Sequence, residues 1–215
     1  MAVEKEFLDL RASKLGPRVV KALTERHFDA WYFDGVEAAN EKILSLVPRD
    51  HVVSWGGSMT AKELKVLSLI EERGNKTLNR DTAKPEEKNE IARQALLCDT
   101  YIAGINGLSE DGQIVNIDGN GNRVAATIFG PRQVILIAGI NKVAKTLDDA
   151  VARARTIAAP LNVQRFPVLK TPCQLSGSCA DCKSPDSVCS FIAITRLCKP
   201  AGRIKVILIG QALGF

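Results

Sequence analysis

The sequence predicts an α/β protein built on a mostly parallel sheet, and three observations lead to this fold class. Short β-rich runs alternate three times with amphipathic helix patterns between residues 31 and 98, which is the order of parallel strand–helix–strand units. Residues 134–138 are continuously apolar, as expected of a central strand covered on both faces. The length of 215 residues and the 46% hydrophobic content suit one folded domain.

The first half of the chain should alternate helices and strands. Apolar residues recur at spacings of three and four over residues 1–30, which predicts a helical segment that Gly16-Pro17 interrupts. Strands are predicted at residues 30–33, 51–55 and 77–78. The helices between and after them should begin at an Asp34 cap, at the Gly56-Gly57-Ser58 turn with an end near residue 72, and at Pro85.

The second half departs from this alternation after a strand at residues 101–103. Residues 113–117 and 123–128 flank the turn-forming sequence Asp-Gly-Asn-Gly-Asn, which predicts a β-hairpin. A helix is expected over residues 146–159, where Pro160 should end it, and strands over residues 190–197 and 204–209.

These elements predict four parts of the chain. They are an N-terminal helical segment (1–30), an α/β core (31–165), a Cys-rich loop segment with a strand (166–198), and a C-terminal strand that returns to the core (199–215).

Composition and charge exclude several classes of protein. The net charge of +5 comes from interspersed acids and bases, and aromatic residues are only 5%, so we expect no nucleic-acid partner. No apolar run is long enough for a membrane span, and the acidic N-terminus lacks the pattern of a signal peptide. We therefore expect a cytoplasmic protein.

The Gly56-Gly57-Ser58 turn is a candidate anion site. Glycines let a ligand approach the backbone, and free N–H groups at the following helix start would face it, with hydroxyls from Ser54 and Ser58 nearby. The alternative is a capped turn without a ligand. The loop has no P-loop lysine, and its glycine spacing is not the dinucleotide fingerprint, which argues against ATP and NAD.

A second candidate site is the dense group of amides and carboxylates between residues 106 and 123. Such groups can bind a polyol, a carboxylate or a metal, although they also form turns without any ligand. The carboxylates Glu110 and Asp111 are the candidate catalytic residues, and the spacing does not fit a calcium-binding EF-hand. The candidate ligand-binding residues of this group are Asn106, Asp118, Asn120, Asn122 and Arg123.

Four cysteines with the spacing C-x5-C-x2-C-x6-C form a candidate metal site, because thiolates in a protein expected to be cytoplasmic favour metal or redox chemistry. An iron–sulfur cluster, in the [4Fe-4S] form, is favoured over Zn²⁺, and free thiols or a disulfide formed during handling are the alternatives. Cys98 is predicted to be a core residue, and Cys198 an auxiliary ligand or none. The four candidate ligands are Cys173, Cys179, Cys182 and Cys189.

Several motifs together resemble the lactate-utilisation (LUD) domain family, in its cysteine-containing stand-alone branch. They are Ser-Trp-Gly-Gly-Ser at 54–58, Asn-Ile-Asp-Gly-Asn-Gly-Asn-Arg-Val-Ala-Ala at 116–126, Phe-Gly-Pro at 129–131, Asn141-Lys142, Thr-Pro-Cys at 171–173, the cysteine stretch at 177–182, and the Leu-Gly-Phe ending. The resemblance implies a three-layer α/β sandwich similar to the glucosamine-phosphate isomerase, ribose-phosphate isomerase and CoA-transferase group.

The same resemblance implies a component of hydroxy-acid oxidation, from lactate to pyruvate, that works beside iron–sulfur oxidoreductase subunits. Arg123 and Lys142 are then expected to receive the acidic end of a small anionic metabolite, and Asn141 is a further candidate ligand-binding residue. Two alternatives stay open: a stand-alone enzyme acting on a sugar phosphate or acyl-CoA, with a structural zinc or a metal-free cysteine segment, and a non-catalytic binding module. The sequence does not determine the oligomeric state.

Overall fold

The predicted parallel sheet is present in the computed structural model, which describes residues 2–215. Its strands are β1 (Asp29–Phe33), β2 (Val53–Trp55), β3 (Thr77–Leu78), β4 (Thr100–Gly104), β7 (Gln133–Gly139) and β10 (Ile204–Ile209). Within the described residues they form one main sheet in the order β1-β10-β7-β4-β2-β3, with every neighbouring pair parallel.

Helices cover both faces of the main sheet, so the predicted α/β sandwich is confirmed. On one face α1 (Ala2–Glu25) packs against side chains that include Val134, Leu136 and Ala138 of β7. On the opposite face α2 (Val36–Leu46), α3 (Met59–Glu63) and α4 (Val66–Glu72) pack with Ile135 and Ile137. Because β7 is covered on both faces, every position can be apolar, which explains the continuous run in the sequence.

A second sheet lies beside the main sheet and was not predicted as such. It consists of β8 (Val143–Ala144), β5 (Gly107–Ser109), β6 (Ile114–Asp118) and β9 (Phe191–Thr195), in that order. β6 is antiparallel to both β5 and β9. Ala150 of helix α7 (Leu147–Arg153) packs with Val115 and Ile117 of β6.

The predicted hairpin around residues 118–122 is wrong. The first arm is β6, but the second arm is a helix, α6 (Asn122–Ile128). The carboxylate of Asp118 accepts hydrogen bonds from the backbone N–H groups of Arg123 and Val124, at 2.8 and 3.2 Å, and so satisfies free donors at the start of that helix. The turn therefore ends in a helix start, while the antiparallel partners of β6 come from β5 and β9.

Two prolines do not end helices where the sequence predicted. α1 continues through Gly16-Pro17 to Glu25, and the absence of a side chain at Gly16 admits the ring of Tyr32. After α7 a π-helical turn (Ala154–Ala158) leads into α8 (Ala159–Val163), so Pro160 stands inside a continuing helical segment. Proline has no backbone N–H group to donate, and the changed hydrogen-bond pattern of a π turn accommodates this missing donor.

The remaining helix boundaries differ in detail from the prediction. Gly35, not Asp34, precedes α2 and makes no side-chain cap. The helix expected from Ser58 to residue 72 is divided into α3 and α4 at Lys65, which has a positive φ of 56°. Two further helices are α5 (Lys88–Gln94), which begins three residues after Pro85, and α9 (Pro172–Ser176) in the cysteine segment.

None of the helices within residues 2–215 is long and apolar enough to cross a membrane.

Candidate functional site

A polar cavity of about 510 Å³ lies where the strands of the main sheet end, facing the second sheet. Gly57 and Ser58 follow β2, Asn106 follows β4, and Lys142 follows β7, while the turn after β6 closes the opposite side. The carboxyl ends of parallel strands meet at one edge, and this edge is the usual ligand position in open α/β sheets. We refer to this space as the edge cavity.

The edge cavity brings together most of the residues predicted from two separate motifs. The glycine turn after β2 and the amide-rich turn after β6 both contribute, although about sixty residues of sequence separate them. The predicted ligand-binding residues that line the cavity are Gly57, Ser58, Asn106, Asp118, Asn120, Asn122, Arg123 and Lys142.

Arg123 lies in the wall of the edge cavity with part of its guanidinium unused. Its Nη2 donates to the side-chain oxygen of Asn106 at 3.2 Å and to the carbonyl of Ile117. In residues 2–215 we find no hydrogen-bond partner for its buried Nε or for Nη1. Because a buried donor without a partner is costly, this guanidinium retains capacity to bind an oxygen ligand.

Lys142 lies deeper in the same wall and is only 3% exposed. Its Nζ donates to the hydroxyl of Thr60 at 2.7 Å. Burial and, to a smaller extent, the nearby charges of Arg153 and Arg123 lower the pKa of the Lys142 ammonium to about 7, while Glu63 opposes them. Across the described part of the chain, no carboxylate forms an ion pair with Lys142 or Arg123.

The helix starts at the cavity are capped by side chains. Ser58 accepts a hydrogen bond from the backbone N–H of Ala61 at 3.2 Å, and Asp118 caps α6 as described above. α3 is five residues long and α6 seven, so neither has a substantial macrodipole. The charge available to a ligand therefore comes from basic side chains of the wall, among them Arg123 and Lys142.

Three of the predicted ligand-binding residues lie outside the cavity and support it. The hydroxyl of Ser54 donates to the carbonyl of Leu78 at 2.9 Å. A side chain at Gly56 would come within 2.8 Å of Cδ of Arg123, so the glycine makes room for the arginine stem. Asn141 accepts from the backbone of Leu213 at 3.1 Å and thereby holds the C-terminal tail, whose Phe215 reaches the cavity.

The candidate catalytic residues Glu110 and Asp111 lie away from the edge cavity. Glu110 pairs with Lys145 at 2.8 Å, and Asp111 pairs with Arg26, at the end of α1, at 2.6 Å. A hydrogen bond from Ser109 is the largest of the effects that lower the pKa of the Asp111 carboxyl. Glu110 also pairs with Arg18 of α1 at 3.6 Å, so both carboxylates connect the second sheet to α1 or its end, and we do not place either one at the site.

The structure adds cavity residues that the sequence analysis missed. Arg153 on α7 donates to the backbone oxygen of Asn106 at 2.6 Å and to that of Asn141 at 2.9 Å, and so positions both loops. The sequence feature that could have identified Arg153 is its position as a charged residue on the helix face that carries the buried Ala150 and Ala154. Arg153 therefore acts from behind the lining. The side chains that line the cavity without an earlier prediction are Arg80, Asp81, Lys88, Asn162, Arg165 and Asp186.

The four cysteines predicted as metal ligands line a second cavity, of about 410 Å³, which we call the cysteine cavity. No three Cys, His, Asp or Glu side chains of residues 2–215 are gathered closely enough to hold one ion, and the cysteines are free thiols. Cys98 and Cys198 pack in the main core, as the sequence predicted for Cys98. The two cavities share Ala159 and Ser187 as a common wall.

The fold and the edge cavity define an α/β protein with a polar, basic cavity at the carboxyl edge of a parallel sheet. Residues 16–209 match the sequence profile of the LUD domain. The chain therefore belongs to the LUD domain family, as the motifs indicated. A search of curated protein sequences finds no significant match.

One solved structure agrees with this assignment at the level of the fold. A DUF162 family protein from Deinococcus radiodurans is 12% identical, with a TM-score of 0.52, and the alignment covers 92% of this chain and 98% of that one. Ribose 5-phosphate isomerase A from Neisseria gonorrhoeae is 17% identical with a TM-score of 0.34, over 52% of this chain and 54% of the isomerase. The ribose 5-phosphate isomerase A of Methanocaldococcus jannaschii is 18% identical with a TM-score of 0.34, over 52% of this chain and 54% of the isomerase.

Proposed function

We propose that this LUD domain protein is a component of hydroxy-acid oxidation and binds a small carboxylate metabolite of the lactate type in the edge cavity. The observation that carries the proposal is the pairing of Arg123 and Lys142 in one cavity wall without a carboxylate partner in the described chain. Partly buried cations without a counter-ion are unfavourable, and an anionic ligand would supply one.

The chemistry of the wall favours a carboxylate over a phosphate. Arginine donates strong charged hydrogen bonds to carboxylates, and the N–H donors of Arg123 Nη1 are available because only Nη2 is engaged, with Asn106 and Ile117. The lining contains five basic side chains but also the carboxylates of Asp81, Asp118 and Asp186. These three carboxylates offset most of the five positive charges, and the small net positive charge that is left matches a singly charged acid. The amides of Asn106, Asn120 and Asn122 provide partners for a hydroxyl or keto oxygen.

Calorimetric titration with lactate and with its neutral amide tests this proposal. We expect lactate to bind and lactamide not to bind, and Arg123→Gln to weaken lactate binding about tenfold or more, the size of a lost charged hydrogen bond. The matched control is Arg132→Gln, because Arg132 is an exposed arginine paired with Asp99. Ribose 5-phosphate and acetyl-CoA serve as further titrants. Tight binding of either one without lactate binding would favour the stand-alone enzyme, and equal binding of lactate and lactamide would contradict the proposal.

We further propose that Cys173, Cys179, Cys182 and Cys189 hold one metal centre, with a [4Fe-4S] cluster favoured and Zn²⁺ the alternative. Their common cavity supports this, and the nearby Arg155 and Lys183 would offset the negative charge of thiolates. Since the thiols are not gathered around one point, the segment would have to close on the metal, as is common where metal binding and folding are coupled. A cluster here would pass electrons to iron–sulfur oxidoreductase subunits.

Iron, zinc and sulfide analysis of anaerobically purified protein tests the metal centre. We expect metal in the wild type and its loss in each of the four single Cys→Ala variants. Cys98→Ala is the control, because Cys98 is a buried core residue hydrogen-bonded to the backbone of Thr100. Metal-free wild type after reconstitution, or full metal content in all four variants, would contradict the proposal.

A further inference from the structure

The buried amine of Lys142 has no structural task that requires its charge. Its Nζ contacts only the hydroxyl of Thr60 among hydrogen-bond partners in residues 2–215, although the side chain reaches the cavity wall. A lysine that only supported the fold would pair with a carboxylate or extend to solvent. Glu63, the acid whose charge acts on Lys142, instead accepts from the backbone of Gly214 at 2.9 Å.

We propose that Lys142 is a nucleophile that forms an imine with the keto group of a 2-oxo acid held in the edge cavity. The inference rests on the proposed function and deepens it, because it names the keto acid, the oxidised counterpart of the hydroxy acid, as a ligand of the same cavity. It assigns Lys142 a covalent role and leaves the carboxylate to Arg123.

The groups around Lys142 suit this role. The charges of two permanent cations, Arg153 and Arg123, act on the amine, and both arginines donate to Asn106, one to its backbone oxygen and the other to its side chain. Neighbouring cations and burial are the conditions under which a lysine is neutral at physiological pH. With a pKa of about 7, a large fraction of Lys142 is the free amine at neutral pH. For an ordinary exposed lysine that fraction is on the order of one in a thousand.

The step balances without any further reactant. The neutral Nζ adds to the keto carbon of the 2-oxo acid, and the carbonyl oxygen leaves as water with two protons, both of them originally on Nζ. A C=N bond replaces the C=O bond, and no oxidation or reduction occurs. The Thr60 hydroxyl accepts from Nζ at 2.7 Å and donates to the carbonyl of Leu213, so it would hold the amine in place during the addition.

Reductive trapping of the full-length protein tests the inference. Protein is incubated with pyruvate and sodium borohydride, which reduces an imine to a stable secondary amine, and the adduct is located by peptide mass spectrometry. We expect one adduct per chain at Lys142, about tenfold or more above that at Lys145, and suppression by excess lactate, which has no keto group. Lys142→Met should abolish the adduct. The control Lys145→Ala should not, because Lys145 is exposed and paired with Glu110.

The outcomes separate this inference from the proposed function. If calorimetry shows that pyruvate binds but no adduct forms at Lys142, the imine is overturned and the carboxylate site stands. Equal labelling of Lys142 and Lys145 likewise overturns it. If neither pyruvate nor lactate binds, both proposals fail. If circular dichroism shows that Lys142→Met does not fold, the position of the adduct in the wild-type protein, located by peptide mass spectrometry, tests the imine by itself.

Discussion

Lys142 is the residue whose charge the interior opposes most clearly. Its folded pKa is about 7, below the value near 10 that it has in an unfolded chain. Between these two pH values the unfolded chain binds a proton that the folded chain does not, so the free energy of unfolding rises with pH. Burial and the charges of Arg153 and Arg123 all act in this direction, and only Glu63 opposes them.

Replacing Lys142 by methionine should therefore stabilise the fold at low pH. We expect the free energy of unfolding of Lys142→Met to exceed that of the wild type below pH 7, and the difference to shrink by up to about 1.4 kcal/mol per pH unit towards pH 10. Urea unfolding at several pH values measures this. A difference that does not change with pH would show that the ammonium is not disfavoured in the folded protein.

Asp111 illustrates an acid that the structure uses for stability. The pKa of its carboxyl is lowered, most of all by the Ser109 hydrogen bond, so its contribution is present at neutral pH and lost on acidification. Asp111→Asn should lower the free energy of unfolding at pH 7 by about 1 kcal/mol, a modest figure because the carboxylate is half exposed. Lactate affinity should not change. A loss of lactate affinity in Asp111→Asn without a lower free energy of unfolding would indicate that Asp111 belongs to the functional site.

At the scale of elements, α1 depends on a close contact with β1. A side chain at Gly16 would lie 2.1 Å from the ring of Tyr32, although alanine is otherwise the better helix former. Gly16→Ala should therefore lower the free energy of unfolding by about 1–3 kcal/mol, as overpacking does. Lys14→Ala, at an exposed position of the same helix, is the control. Equal stability of the Gly16 and Lys14 variants in thermal unfolding would show that the ring moves aside without cost.

The cysteine segment and the edge cavity share a wall, which couples them. Residues 185–188 line the edge cavity and Cys189 lines the cysteine cavity, while a side chain at Gly119 would come within 3.1 Å of the carbonyl of Ser187. If a metal orders this segment, its removal should weaken lactate binding about tenfold. Calorimetry of metal-replete protein, chelated protein and Cys182→Ser measures the effect. Unchanged affinity in both metal-free samples would mean that the two cavities act independently.

At the scale of the whole molecule, the main sheet could be predicted because its signals are local. The continuous apolar run of β7 and the strand–helix alternation are visible in short windows of sequence. The second sheet could not be predicted in the same way, since β5 has three residues and β8 two, and pairing alone defines them. The hairpin prediction failed because a β-like pattern over residues 123–128 outweighed the capping carboxylate of Asp118.

The sequence predicted the residues of the edge cavity that follow strands. It missed the residues whose positions depend on packing between parts of the chain that are distant in sequence. Lys142 and the turn after β6 stand directly after strands, and the topology of a parallel sheet brings such positions together. The burial of Arg153 depends on contacts with loops of Asn106 and Asn141, which the sequence alone does not show. Likewise, the ion-pair partner of Asp111 is Arg26, which is distant in sequence. Without that partner in view, the sequence analysis took an acid with a structural role for a candidate catalytic acid.

The most direct test of the carboxylate site is a crystal structure of the protein grown with lactate. We expect electron density for the acid in the edge cavity, with its carboxylate on the guanidinium of Arg123 and its hydroxyl towards Lys142. Density for lactate at another site, or an empty edge cavity at a lactate concentration that saturates the protein in solution, would contradict the assignment of this cavity as the carboxylate site.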